Sequence, residues 1–111
     1  MKKKNILHLS LKKQWFDMIK SGEKKEEYRD ITPYWSKRLC NYNPKENVYE
    51  IANFNAVEFT LGYPAKDEYD KRIKFEIIGI SIGHGKEKWG AIPNINYFII
   101  KLGKELKEGA N

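Results

Sequence analysis

The 111-residue chain is expected to fold as one α+β domain over residues 1–111, a small and mostly antiparallel β-barrel carrying two short helices. Three observations lead there. Short apolar runs at 6–9, 56–61, 72–82 and 97–102 are rich in the β-branched and aromatic residues that suit strands. Helical spacing is confined to the first 40 residues, and helices that come early instead of alternating with strands argue against a doubly wound parallel sheet. Within the longest run, Ile73, Phe75 and Ile77 share one parity while Ile78, Ile80 and Ile82 share the other, with Gly79 near the change. Such a slip predicts a β-bulge or sharp bend, the device by which barrels turn corners.

Taken in order, Ile6 to Leu9 reads as a short buried strand, after which Ser10 can cap a helix. In that helix Leu11, Trp15, Met18 and Ile19 fall on one face, and Lys13, Asp17 and Lys20 on the other. Ser21-Gly22 closes it, because glycine tolerates the left-handed conformation a helix C-terminus often needs. A strand over about 24–29 follows. Thr32-Pro33 starts a second helix, expected over 34–40: threonine caps free N–H groups and proline gives up only a donor that has no partner there. Residues 41–55, rich in asparagine and carrying Pro44, read mostly as a long loop or insertion. The strands at 56–61, 72–82 and 97–102 complete the pattern, and residues 104–111 read as a frayed tail. The main core is expected from Leu7, Leu9, Trp15, Ile19, Val57, Phe59, Phe75, Ile77, Phe98 and Ile100.

An apolar share of 41% with 14% aromatics is enough for a packed core despite 32% charged residues. Cys40 is the only cysteine, so no internal disulfide can form, and one thiol with His8 and His84 is too few for a structural zinc site. No metal and no cofactor is expected. The N-terminal apolar stretch lacks the length and small-residue cleavage site of a signal peptide, and no run reaches the roughly 20 apolar residues of a membrane span, so a reducing cytoplasm is the expected location.

The net charge of +6 is placed unevenly. Residues 1–25 carry eight lysines against Asp17 and Glu23, whereas the remainder carries 13 residues of each sign. A field concentrated in the first quarter either serves as a solubilising lysine surface or attracts polyanions, nucleic acid foremost, in which case Lys12, Lys13 and Lys20 would supply contacts to phosphate.

The segment Gly22-Glu23-Lys24-Lys25-Glu26-Glu27-Tyr28-Arg29 fits the pattern G-x-K-x-x-E-x-R between an amphipathic helix and a strand, and here the chain resembles the ASCH family. The likeness extends over Trp15-Phe16 to Ile19-Lys20, Pro33-Tyr34-Trp35 to Arg38-Leu39, Phe59 to Gly62-Tyr63, Gly83 to Trp89-Gly90 and Tyr97 to Gly103, and so covers most of the chain. The resemblance implies a PUA-like barrel with a cleft built around Gly22, Lys24, Glu27 and Arg29, and a role in binding RNA or a nucleotide-like ligand. Some family members are ribonucleases. A related branch removes acetyl groups from acetylated cytidine with a lysine and a threonine from the corresponding motif. This chain keeps Lys24 but has Glu27 where that threonine would stand, a departure that argues against the amidohydrolase reaction.

The residue types have their own logic. In a strand Glu27 and Arg29 project to one face, where they can pair or flank a ligand. Arginine offers a planar fork to phosphate or a base edge, lysine a compact cationic donor, and a carboxylate an acceptor for protons or an amino group. The structural alternative is an Arg–Glu salt bridge that fixes the helix-to-strand turn. In an RNA-cleaving enzyme Glu27 would act as base, Arg29 would stabilise the phosphate and Lys24 would protonate the leaving oxygen. Tyr34, Trp35 and Trp89 are candidates for base stacking, with Arg38 beside the first two, while Trp15 falls on the core face of its helix. His8 reads as structural, and His84 sits in a Gly-His-Gly turn that could approach a ligand. Together with Gly22, Lys24, Glu27 and Arg29, the residues Lys12, Tyr34, Trp35 and Arg38 form the expected binding set. The leading expectation is an RNA- or nucleotide-binding module, the alternatives a ribonuclease or modified-nucleoside hydrolase in the same cleft, or a protein-interaction module.

Overall fold

Alternating burial defines the first strand in the computed structural model, which describes residues 5–107. In β1 (Ile6–Leu11), Leu7, Leu9 and Leu11 turn inward while His8 and Ser10 face out, so Ser10 belongs to the strand and is not the helix cap its residue type suggests. The cap of α1 (Lys13–Lys20) is Lys12, with no side-chain hydrogen bond. Phe16 and Ile19 are the buried residues of this helix, whereas Trp15, expected in the core, is only half-buried. Gly22 ends the helical segment with φ +88°, its N–H donating to Ile19 O at 3.1 Å, and the chain passes into β2 (Glu26–Asp30).

Thr32 caps α2 (Pro33–Leu39), its hydroxyl accepting from the Trp35 N–H at 3.2 Å. The expected loop that follows is instead a hairpin, β3 (Cys40–Asn43) against β4 (Val48–Ile51). Asn43 Oδ1 accepts from the Lys45 N–H at 3.0 Å and so shapes the turn, and Asn47 takes the positive φ of 55° that asparagine tolerates. Tyr42 and Tyr49 pair across the strands with ring centroids 5.2 Å apart.

Three longer strands complete the fold: β5 (Ala56–Leu61), β6 (Arg72–His84) and β7 (Asn96–Glu105). The main sheet has the order β1-β5-β6-β7-β2, in which β1 and β5 run parallel and the other neighbours antiparallel. The parallel β1–β5 pair and the unclosed seam are the departures from the expected mostly antiparallel barrel. The sheet is mixed, and it curls into a half-barrel whose edges, β1 and β2, are joined through α1. The parity change in β6 is real: the register against β7 shifts between Phe75 and Ile77 and again between Ile77 and Gly79. Lys104 and Glu105 lie within β7 and the Leu106 N–H donates to Lys74 O at 2.8 Å, so the expected frayed tail does not begin at 104; residues 108–111 lie outside the described residues.

The main core gathers Leu7, Leu9, Phe16, Ile19, Leu39, Val57, Phe59, Phe75, Phe98 and Ile100 among others, with Ile77 packed at its margin and only partly buried. A second cluster holds Tyr28, Trp89, Ala91, Tyr97 and Ile99. The two explain why β7 is apolar at consecutive positions: Phe98, Ile100 and Leu102 serve the first cluster, Tyr97 and Ile99 the second. No helix among the described residues is long and apolar enough to cross a membrane.

Candidate functional site

The site grows from the unclosed seam between the two edge strands. Leaving α1, the chain turns Lys24 inward until its residue is only 2% exposed. Its ammonium donates to Glu26 O at 2.6 Å and Trp89 O at 3.1 Å and meets Glu27 Oε1 at 2.8 Å, so its three N–H groups have three acceptors. The rings of Trp15 and Tyr28 flank it, with centroids at 5.3 and 4.9 Å. Burial holds the Lys24 pKa below its ordinary value, an effect that the adjacent Glu27 carboxylate opposes.

Glu27 is buried as well, and the two-residue spacing of the strand sets it beside Arg29, as expected. One Glu27 oxygen holds Lys24 and the other holds Arg29 Nη1. The guanidinium reaches further: Nη1 donates to Tyr28 O at 2.9 Å and Nη2 to Ser10 O at 3.2 Å. Arg29 of β2 thereby bridges to β1, across the gap the sheet leaves open. Its outer face lies 5.1 Å from the Trp35 ring, Arg38 lies 5.8 Å from the same ring and 5.3 Å from Tyr34, and the two rings meet edge to face at 5.0 Å.

Two hollows open on either side of this bridge. The first, of about 420 Å³, is lined by Ser10, Lys12, Trp15, Glu27, Arg29, Trp89 and Tyr97 among others. The second, of about 700 Å³, is lined by His8, Ser10, Arg29, Tyr34, Trp35, Arg38, Tyr63 and Arg72 among others. Both volumes lie within the range common for small-molecule sites, roughly 300–1,000 Å³. Arg72 is tethered to Pro64 O and Ala65 O, each at 3.2 Å, and lies 3.7 Å from Glu58. His8 Nδ1 is 3.3 Å from the same Glu58 carboxylate. A third hollow, of about 460 Å³ between β6 and the end of β7, contains none of the motif residues.

The expected binding residues thus fall into three places. Lys12, Glu27 and Arg29 line the first hollow, and Arg29, Tyr34, Trp35 and Arg38 the second. Lys24 stands behind the wall, and Gly22 ends α1 without lining either hollow. Lys13 pairs with Asp17 at 2.6 Å on the exposed face of α1, and Lys20 lies in its last turn. Sequence reasoning assigned Trp15 to the core and Ser10 to a cap, yet both line the cleft. It did not single out Tyr28, Tyr97 or Arg72. Gly90 gives the physical reason for the position of Trp15: at φ +103°, a Cβ there would lie 2.9 Å from the Trp15 ring, so the missing side chain makes room for the indole. Trp89, directly before it, has a buried indole N–H with no hydrogen-bond partner among the described residues, and Lys86 and Lys88 approach its ring to 5.3 and 5.0 Å. No group of three or more His, Cys, Asp or Glu among the described residues could hold a metal ion.

Compared with known proteins, the chain matches no family model, no curated protein and no solved structure.

Proposed function

We propose that the seam cleft binds RNA or a nucleotide-like ligand, in the manner expected of an ASCH-type, PUA-like domain. The observation that carries this reading is Arg29, a cation held between two aromatic-walled hollows by hydrogen bonds to Glu27, Tyr28 O and Ser10 O. A guanidinium fixed in this way meets a phosphate without losing side-chain freedom, and indole walls offer bases a stacking surface worth about 1–3 kcal/mol each. The first hollow adds Lys12, whose side chain has no hydrogen bond or ion pair among the described residues.

Binding is favoured over turnover by the same pairings. To take a proton, Glu27 would have to give up one of two ion pairs while staying almost out of contact with water, and Lys24 has no N–H left to donate to a leaving group. Random-sequence RNA tetranucleotides titrated at low salt should give a saturable change in tryptophan fluorescence, weakening as salt rises and leaving the RNA uncut. Inorganic phosphate and free nucleosides should each bind more weakly, since each offers half of the recognised chemistry. No response to any RNA at millimolar concentration would overturn the reading, and cleavage of the RNA would replace binding with catalysis.

A further inference from the structure

Arg29 and Ser10 line both hollows, so the two adjoin at the seam with the guanidinium between them, and a ligand that passes over Arg29 would treat them as one groove. Each half repeats the same provision. The first has the half-buried Trp15 and one cation, Lys12, beside the carboxylates of Glu27 and Asp30; the second has the exposed Tyr34, set edge to face on Trp35, and one cation, Arg38. Neither Lys12 nor Arg38 makes a side-chain hydrogen bond or ion pair among the described residues, and Arg38 lies over the rings of Tyr34 and Trp35. Arg72 differs, because Pro64 O, Ala65 O and Glu58 already occupy it. On each side of the fixed guanidinium there is therefore one aromatic surface and one further cation. A mononucleotide, with one base and one phosphate group, can use only one side.

We propose that the groove takes a single-stranded segment of at least two nucleotides, with the linking phosphate at Arg29, one base against Trp15, and the next against Tyr34. This rests on the reading of the cleft as a nucleotide-binding site and adds to it the length of the ligand. The charges agree: Lys24, Glu27 and Arg29 in their ionised forms leave one net positive charge at the waist, where the phosphodiester would sit. Its non-bridging oxygens would meet the donors of Arg29 that the protein leaves over after the bonds to Glu27, Tyr28 O and Ser10 O. In the second half Arg29 and Arg38 already lie over Trp35, so the ring left for a base is the exposed Tyr34, which Trp35 meets edge to face.

The test compares the four ribonucleoside 5′-monophosphates with random-sequence RNA di- and tetranucleotides on the full chain and on Arg38→Ala. Arg38 is exposed on α2, so its truncation leaves the core intact. The intact protein should hold dinucleotides at least about 10-fold more tightly than monophosphates, the gain expected of a second stacked base. In Arg38→Ala that ratio should fall several-fold, and for the tetranucleotides the slope of log affinity against log salt should become shallower by about 0.7, the loss of one single-strand phosphate contact. Equal affinity for monophosphates and dinucleotides, or a ratio that Arg38→Ala leaves unchanged, would overturn the two-nucleotide groove while the cleft remained a nucleotide site. Failure of every probe to bind would remove both.

Discussion

A carboxylate buried between two cations is held as firmly as it holds them, and this makes Glu27 the most consequential residue of the site. Glu27→Gln keeps the shape but leaves the Lys24 ammonium buried without its paired carboxylate, a change that costs about 3–5 kcal/mol when one partner of a buried pair is lost. The pH dependence has a definite sign. Because the folded-state pKa of Lys24 lies below 10.5, the unfolded chain binds the extra proton between those two values, and stability contributed by this group rises with pH through that window. Removing Glu27 takes away the influence that raises the Lys24 pKa, so the window widens downward and Glu27→Gln should regain stability relative to the intact protein as the solution becomes alkaline. Denaturant titrations from pH 6 to pH 9 measure this, below the range near 10 where Tyr28, whose phenol burial raises above its ordinary value, contributes the opposite slope. A deficit that stays constant over that range would mean that Lys24 does not depend on Glu27 for its charge.

At the scale of elements, the segment from Gly85 to Ala91 decides where the cleft has its wall. The Tyr28 hydroxyl donates to Glu26 Oε1 at 2.7 Å and accepts from the Lys86 N–H at 2.9 Å, which ties this segment to β2. A Cβ on Gly85 would lie 2.7 Å from the Tyr28 ring and 2.7 Å from Ala91 Cβ, and neither can retreat, because both belong to the second core cluster. Gly85→Ala should therefore destabilise the fold by about 1–3 kcal/mol, as overpacking does, and displace Trp89. Thermal unfolding and the near-ultraviolet dichroism of the tryptophans would report the two effects, and wild-type behaviour in both would show that the segment is free to move. The sequence marked this stretch as a glycine turn, but nothing in Gly-His-Gly indicates that Tyr28 packs against it from 57 positions away. The hairpin β3–β4 escaped for a different reason: its residues are mostly exposed on both faces, so it lacks the apolar alternation that marks a strand.

Over the whole molecule, stability rests on the strand that stands between the parallel and the antiparallel parts of the sheet. Phe59 of β5 is fully buried, lies opposite Leu9 of β1 and Ile73 of β6, and has its ring 6.5 Å from that of Phe75. Phe59→Ala should cost about 3–5 kcal/mol, a large share of the 5–15 kcal/mol typical of a domain, with a correspondingly lower midpoint in denaturant. A loss below about 1 kcal/mol would show that the two halves of the sheet do not meet there. The positive excess of the first quarter is likewise dispersed by the fold: Lys12 lines the groove, Lys13 is paired with Asp17, Lys24 is internal, and Lys2 to Lys4 lie outside the described residues.

Features whose causes lie within a few residues were determined by the sequence alone. The Thr32-Pro33 helix start, the Gly22 helix end, the placing of Glu27 and Arg29 on one face, the strands around Phe59, Phe75 and Phe98 and the bulges near Gly79 all follow from caps, allowed dihedrals and side-chain period. What only the tertiary structure decided depends on residues brought together from far apart in the chain. Whether the sheet closes, which edge Arg29 bridges, and that Trp15 lies against Gly90 in a cleft and not in the core are set by contacts such as Arg29 to Ser10 and Lys24 to Trp89, 19 and 65 positions apart. A local pattern records that a side chain is apolar or charged. It does not record which distant backbone carbonyl will stand opposite that side chain once the sheet has curled, and in this protein those carbonyls hold the two cations of the motif in place.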